Sequence, residues 1–259
     1  MKFNTLKNEW KEFLILPKEL SFNSSKIVFN NVDNTLYIGT YDVMNSGDDQ
    51  IIAMNITTKE YKKITLANIA IGHLLLENNN LHIIGCSDSN HSVIAQNKAE
   101  TQTLCNYSHF IGDDYFACHR SVYLKKQEKI YTFGGWICGG NQYLTEDTLD
   151  TILSYDLKTK EHKLLDLKIP KGLDSFGYIK TNDERFVIIF GGDGDEGISN
   201  HDIYIFDMDE NAVRKSNIDG NGETTSHFDR LVDMVHCTLC QNTPANRKCC
   251  TATKRLIIL

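Results

Sequence analysis

Four times along this chain a short apolar run, a polar turn and a second apolar run end on a glycine. The four stretches are KIVFNNVDNTLYIGT (26–40), HLLLENNNLHIIGC (73–86), SVYLKKQEKIYTFGG (121–135) and FGYIKTNDERFVIIFGG (176–192). Short runs rich in β-branched and aromatic residues, broken by Asn, Asp and Lys, predict paired strands joined by tight turns. After each glycine comes a variable loop and a third apolar run: IIAMNI (51–56), VIAQNK (93–98), ILSYDL (152–157) and IYIFDM (203–208). In these runs Asn55, Asn97, Asp156 and Asp207 hold the same place. A polar turn and a more solvated fourth strand follow each one. The predicted unit is therefore a four-stranded antiparallel meander. Its glycine markers Gly39, Gly85, Gly134 and Gly191 are spaced by 46, 49 and 57 residues, and the growing interval is taken up mainly between the second and third strands.

The pairs YTFGGW with ILSYDL and IIFGGDGD with IYIFDM resemble the kelch repeat: apolar strand, Gly-Gly, variable loop, aromatic-Asp. The kelch period of about 50 residues agrees. The copies at Gly39-Thr40 and Gly85-Cys86 keep one glycine each. The resemblance implies an all-β, kelch-type β-propeller over residues 1–226, with four recognisable four-stranded blades near 26–66, 73–104, 121–166 and 176–216 in an incomplete ring. EWKEFLILPKEL resembles the outer strand of a kelch blade. Trp10, Phe13, Leu14 and Pro17 would place that strand near 9–17, with a helix over LKNEWKEFLIL as the alternative. Residues 227–259 depart from the pattern: CTLCQNTPANRKCCTATKRLIIL has neither paired strands nor a Gly-Gly. This Cys-rich tail is expected to be irregular or disordered.

One stretch suggests different chemistry. Gly192-Asp193-Gly194-Asp195-Glu196-Gly197 matches G-x-G-x-x-G, which cradles a pyrophosphate when a helix opens at the glycines. Here the run Ile203–Phe206 that follows has a strand signature, and Asp193, Asp195 and Glu196 would repel phosphate. The glycines are read instead as structural, allowing backbone angles other residues avoid and a close approach of neighbouring blades.

At 259 residues with 41% hydrophobic side chains, the chain can bury a substantial core. Its formal charge of −7, with no Lys/Arg block longer than a pair, argues against nucleic acid or an anionic membrane as the main partner. The first twenty residues hold only the apolar run FLIL, too short for a secretion signal, and no segment approaches a membrane span. A cytoplasmic protein is expected, so its eight cysteines are read as reduced thiols. In the tail, His236, Cys237, Cys240, Cys249 and Cys250 are candidate zinc ligands, but adjacent Cys249 and Cys250 fit one tetrahedral ion awkwardly.

No nucleophile elbow, zincin motif or Walker loop is present. His73, His82 and His91 recur every nine residues but fall at the start of a first strand, within a second strand and in a loop, so their side chains are not expected to converge. No enzymatic activity, cofactor or metal is expected. Kelch proteins include copper and iron enzymes, and neither constellation matches positions here. What the resemblance implies instead is a non-enzymatic protein–protein interaction module that binds through rim loops. The longest such loop, WICGGNQYLTEDT (136–148), offers Trp136, Ile137 and Tyr143 as anchors, unless Trp136 tucks between blades. Asp193, Asp195 and Glu196 on the next loop favour a basic partner surface. The residues specify neither the partner nor an oligomeric state. Two alternatives stay open: a truncated kelch fragment with no stable function, and a kelch-fold metal-dependent enzyme.

Overall fold

A computed structural model describes residues 2–4, 9–11, 25–40, 50–66, 71–85, 90–94, 101–107, 110, 115–138, 146–194 and 198–216. The named elements among them are all strands, and they fall into two compact units that divide after residue 68. No described helix is long and apolar enough to cross a membrane.

In the first unit, Lys2–Asn4 (β1) pairs antiparallel with Glu9–Lys11 (β2), Phe3 opposite Trp10. Of the strand expected near 9–17, residues 9–11 are thus found, paired to β1, and residues 12–17 lie outside the described residues. Ser25–Asn30 (β3), Thr35–Thr40 (β4), Gln50–Asn55 (β5) and Tyr61–Thr65 (β6) form a four-stranded sheet in chain order. The first copy of the sequence pattern is therefore a meander. Leu36, Ile38, Ile51 and Met54 are fully buried, whereas β6 is almost wholly exposed.

The second unit holds the other three copies. Ile71–Glu77 (β7), Asn80–Gly85 (β8), Asn90–Ile94 (β9) and Thr101–Asn106 (β10) form one sheet in chain order. After Tyr115–Ala117 (β11), the next sheet takes Arg120–Leu124 (β12) and Lys129–Phe133 (β13). It then passes over Trp136–Cys138 (β14) and Glu146–Thr148 (β15) to add Ile152–Asp156 (β16) and His162–Leu164 (β17). Gly177–Lys180 (β18), Phe186–Phe190 (β19), Ile203–Asp207 (β20) and Ala212–Lys215 (β21) complete the last.

The turn residues follow the chemistry read from sequence. In the β7–β8 hairpin, Asn78 and Asn79 both take positive φ, the two-residue turn that matches strand twist. At the end of the third strands, Asn55, Asp156 and Asp207 each accept two backbone N–H bonds through Oδ1, from residues two and three ahead, at 2.8–3.2 Å. The fourth residue on, Lys59, Lys160 or Asn211, turns left-handed. An Asx at this place thus closes the turn into the fourth strand. Arg185 adds a two-nitrogen pair to Asp207.

Apolar side chains between sheets form the core. Val122, Leu124, Tyr131 and Phe133 of the third sheet pack on Val187, Ile189, Tyr204 and Phe206 of the fourth, and the Phe133 and Phe206 rings meet edge-to-face at 5.3 Å. Leu75 and Ile84 of the second sheet pack on Ile130, Leu153 and Tyr155 of the third. Fully burying each such side chain is worth about 1.5–3 kcal/mol.

Candidate functional site

The described residues of the long connection between β13 and β16 form two strands. Its strands β14 and β15 pair with each other, and β14 also pairs with β11, making a three-stranded sheet outside the four meanders. Gly134 (φ +53°) and Gly135 (φ +113°) make the bend into it. A Cβ on Gly135 would stand 2.7 Å from the Phe116 ring and 2.9 Å from the Ala117 carbonyl, so both the angle and the space require glycine.

A backbone band then ties this small sheet to the neighbouring loop. Gly135 N–H donates to Leu173 O (2.8 Å), and Ser175 N–H donates to Cys118 O (3.0 Å). Asp174 and Asp193 exchange both backbone bonds, at 2.9 and 3.0 Å. Trp136 and Ile137 of β14 are half-buried and point to opposite faces, Trp136 beside Thr148 and Ala117, Ile137 beside Asp147 and Phe116. The band thus joins the strand of Trp136 and Ile137 to Asp193. Tyr143, Asp195 and Glu196 lie outside the described residues. Two of the amides a phosphate would need are already used: Asp193 N–H bonds Asp174 O, and Gly194 N–H bonds Ile198 O.

The histidines correct the sequence expectation. His82 and His91 do converge, His82 Nδ1 lying 2.9 Å from His91 Nε2, because the β8–β9 register puts both on one face of the sheet. His73 stands apart, packed near the Tyr178 ring. His82 Nε2 faces the Glu77 carboxylate at 3.6 Å, and Glu77 also accepts from Asn78 and Asn80. The adjacent His82 ring is the main cause that keeps the Glu77 carboxyl below its usual range.

From the other side of His91 the chain of contacts crosses to the third sheet. His91 Nδ1 is 3.4 Å from His162 Nε2, which is 3.2 Å from Cys105 Sγ. His162 lies directly opposite Tyr155, and the two rings stack at 4.3 Å while Tyr107 closes on His162 edge-on. A β-bulge brings the thiol in. The β10 register shifts between Thr103 and Cys105, so that Leu104 is the extra residue and Cys105, not Leu104, stands opposite His91. Burial, reinforced by His82 and His162, holds His91 well below the usual imidazole range, and burial pushes the Cys105 thiol up to about 12. Both His91 and Cys105 are therefore neutral.

Glu77, Cys105 and His162 went unnoticed in the sequence. The available signal was the equal parity of His82 and His91 in facing strands, which nine-residue spacing conceals when a turn lies between them.

No family model matches this chain, and no curated protein does. Among solved structures, 257 chains are similar. One, described as the structure of YjhT, superposes with a TM-score of 0.59 at 13% identity, covering 80% of this chain and 69% of that one. At that identity the likeness bears on the fold alone. With the four-stranded antiparallel meanders, it makes this an all-β, β-propeller-like protein.

Proposed function

We propose that this chain is a kelch-type propeller module that binds a protein partner through the β11–β14–β15 rim, without performing chemistry on it. The observation that carries the reading is the rim itself. A sheet additional to the four blades is pinned by backbone bonds to the adjacent loop and presents Trp136 and Ile137 partly to solvent. Rigid elements with large amphipathic side chains suit partner recognition, since little entropy is lost on docking. The kelch assignment rests on Gly134-Gly135 and Gly191-Gly192, all with positive φ, and on the Asx turns that end the third strands. Carboxylates at Asp193, Asp195 and Glu196 favour a basic partner face.

The test is comparative capture from an extract of the source cells. Trp136→Ser with Tyr143→Ser is expected to weaken the captured partner about thirtyfold, the size of a hot-spot loss of about 2 kcal/mol. Lys163→Ser, on the exposed outer strand β17, is expected to leave capture and the melting curve unchanged. Full capture by the double variant removes this rim from the reading.

A further inference from the structure

His91 on β9, Cys105 on β10 and His162 on β17 bring three donor atoms within 4.8 Å of one another, the one such group found among the described residues. Protons satisfy this triangle poorly. Glu77 Oε2 lies 3.6 Å from His82 Nε2, and the His82 tautomer that turns Nε2–H towards it has a bare Nδ1. That nitrogen accepts the Nε2–H of His91, whose single proton is then spent. The lone pair on His91 Nδ1 faces His162 Nε2 at 3.4 Å, and Cys105 Sγ faces the same nitrogen at 3.2 Å. As a donor, His162 Nε2 serves one neighbour and leaves the other. As the acceptor of the Cys105 S–H, it turns two ring lone pairs towards each other. A cation between the three would take every lone pair at once.

We propose that His91 Nδ1, His162 Nε2 and Cys105 Sγ bind one zinc ion, with the Glu77–His82 pair positioning His91 as the ligating tautomer. A thiolate with two imidazoles is a donor set suited to this borderline-soft ion. Tetrahedral zinc with ordinary bond lengths spaces two nitrogens about 3.4 Å apart and a nitrogen and a sulfur about 3.6 Å apart, close to the two separations here. The carboxylate–His82–His91 series is the outer-shell arrangement that fixes ring orientation and raises ligand basicity. Binding exchanges the Cys105 thiol proton for the ion and releases that proton to solvent. Cys105 and His162 are half-buried on the outermost strands of their sheets, which gives the ion a route in and leaves its fourth position for water. The ion would clamp those two strands together, a role separate from the rim.

The test uses the full chain with Cys237, Cys240, Cys249 and Cys250 changed to Ser, so that tail thiols contribute nothing, and cobalt(II) as a spectroscopic probe that zinc displaces. One cobalt per chain is expected, with a near-ultraviolet thiolate-to-cobalt band that Cys105→Ser abolishes. Glu77→Gln should keep the band and weaken zinc binding about 10–100-fold, which a merely structural carboxylate would not do. A second readout needs no change to the ligands: zinc should slow alkylation of Cys105, followed by mass spectrometry of its peptide. Absence of a one-to-one cobalt complex, a band that persists in Cys105→Ser, or Cys105 alkylation indifferent to zinc would each overturn the proposal.

Discussion

The densest chemistry in this protein lies between two sheets, where Tyr155 makes the position of single atoms matter. Its ring stacks on His162 and meets His91 edge-on at 4.8 Å, yet its buried hydroxyl has no hydrogen-bond partner among the described residues. Burial raises the Tyr155 phenol above its usual range, with the neighbouring Cys105 and Asp156 acting in the same direction. A buried hydroxyl without a partner costs about 1–3 kcal/mol in lost hydration. Tyr155→Phe keeps both ring contacts and removes that cost. It is expected to raise stability by about 1 kcal/mol, seen as a melting temperature about 2–4 °C higher in chelator-treated protein. An unchanged or lower transition would mean the hydroxyl is satisfied in solution.

Strands and turns were the scale most legible in the sequence. Period-2 apolar runs, Asn- and Asp-rich turns and recurring glycines marked four meanders, because each of these signals acts within a few residues of its cause. The conserved role of the Asx position within the chain can be tested directly. Asp156→Ala leaves the Lys158 and Thr159 amides without their acceptor at the entry to β17, and is expected to cost about 1–2 kcal/mol in denaturant unfolding, the scale of a lost cap. Because His162 follows on that strand, the same variant should also loosen its contact with Cys105. The extra sheet was not legible. β11, β14 and β15 are three residues each, too short for alternation to show, and β14 follows directly on glycines that the pattern reads as punctuation. The His–Cys cluster was hidden for a different reason: His91 and His162 are 71 residues apart, and no local period encodes a contact between separate sheets.

For the molecule as a whole, a zinc clamp between the second and third sheets couples metal to stability. An ion at roughly one hundred times its dissociation constant adds about 2.7 kcal/mol, or roughly 5–10 °C for a domain of this size. A chelator is therefore expected to lower the melting temperature of the tail-substituted protein by that amount and leave Cys105→Ser unmoved. Equal chelator responses in the two would assign the effect to another ion. The bulge at Leu104 makes this coupling depend on how β10 pairs with β9. A strand alternates its faces residue by residue, so the thiol meets His91 because Leu104 is left out of the ladder; paired in register, Leu104 would take that place and Cys105 the one opposite Asn90. Deleting Leu104 would bring the cysteine next to Thr103 and keep it opposite His91 in an unbroken ladder, whereas regular pairing of the full strand would turn the sulfur to the opposite side of the sheet. The cluster therefore depends on a strand register that a comparison of residue identities alone does not record.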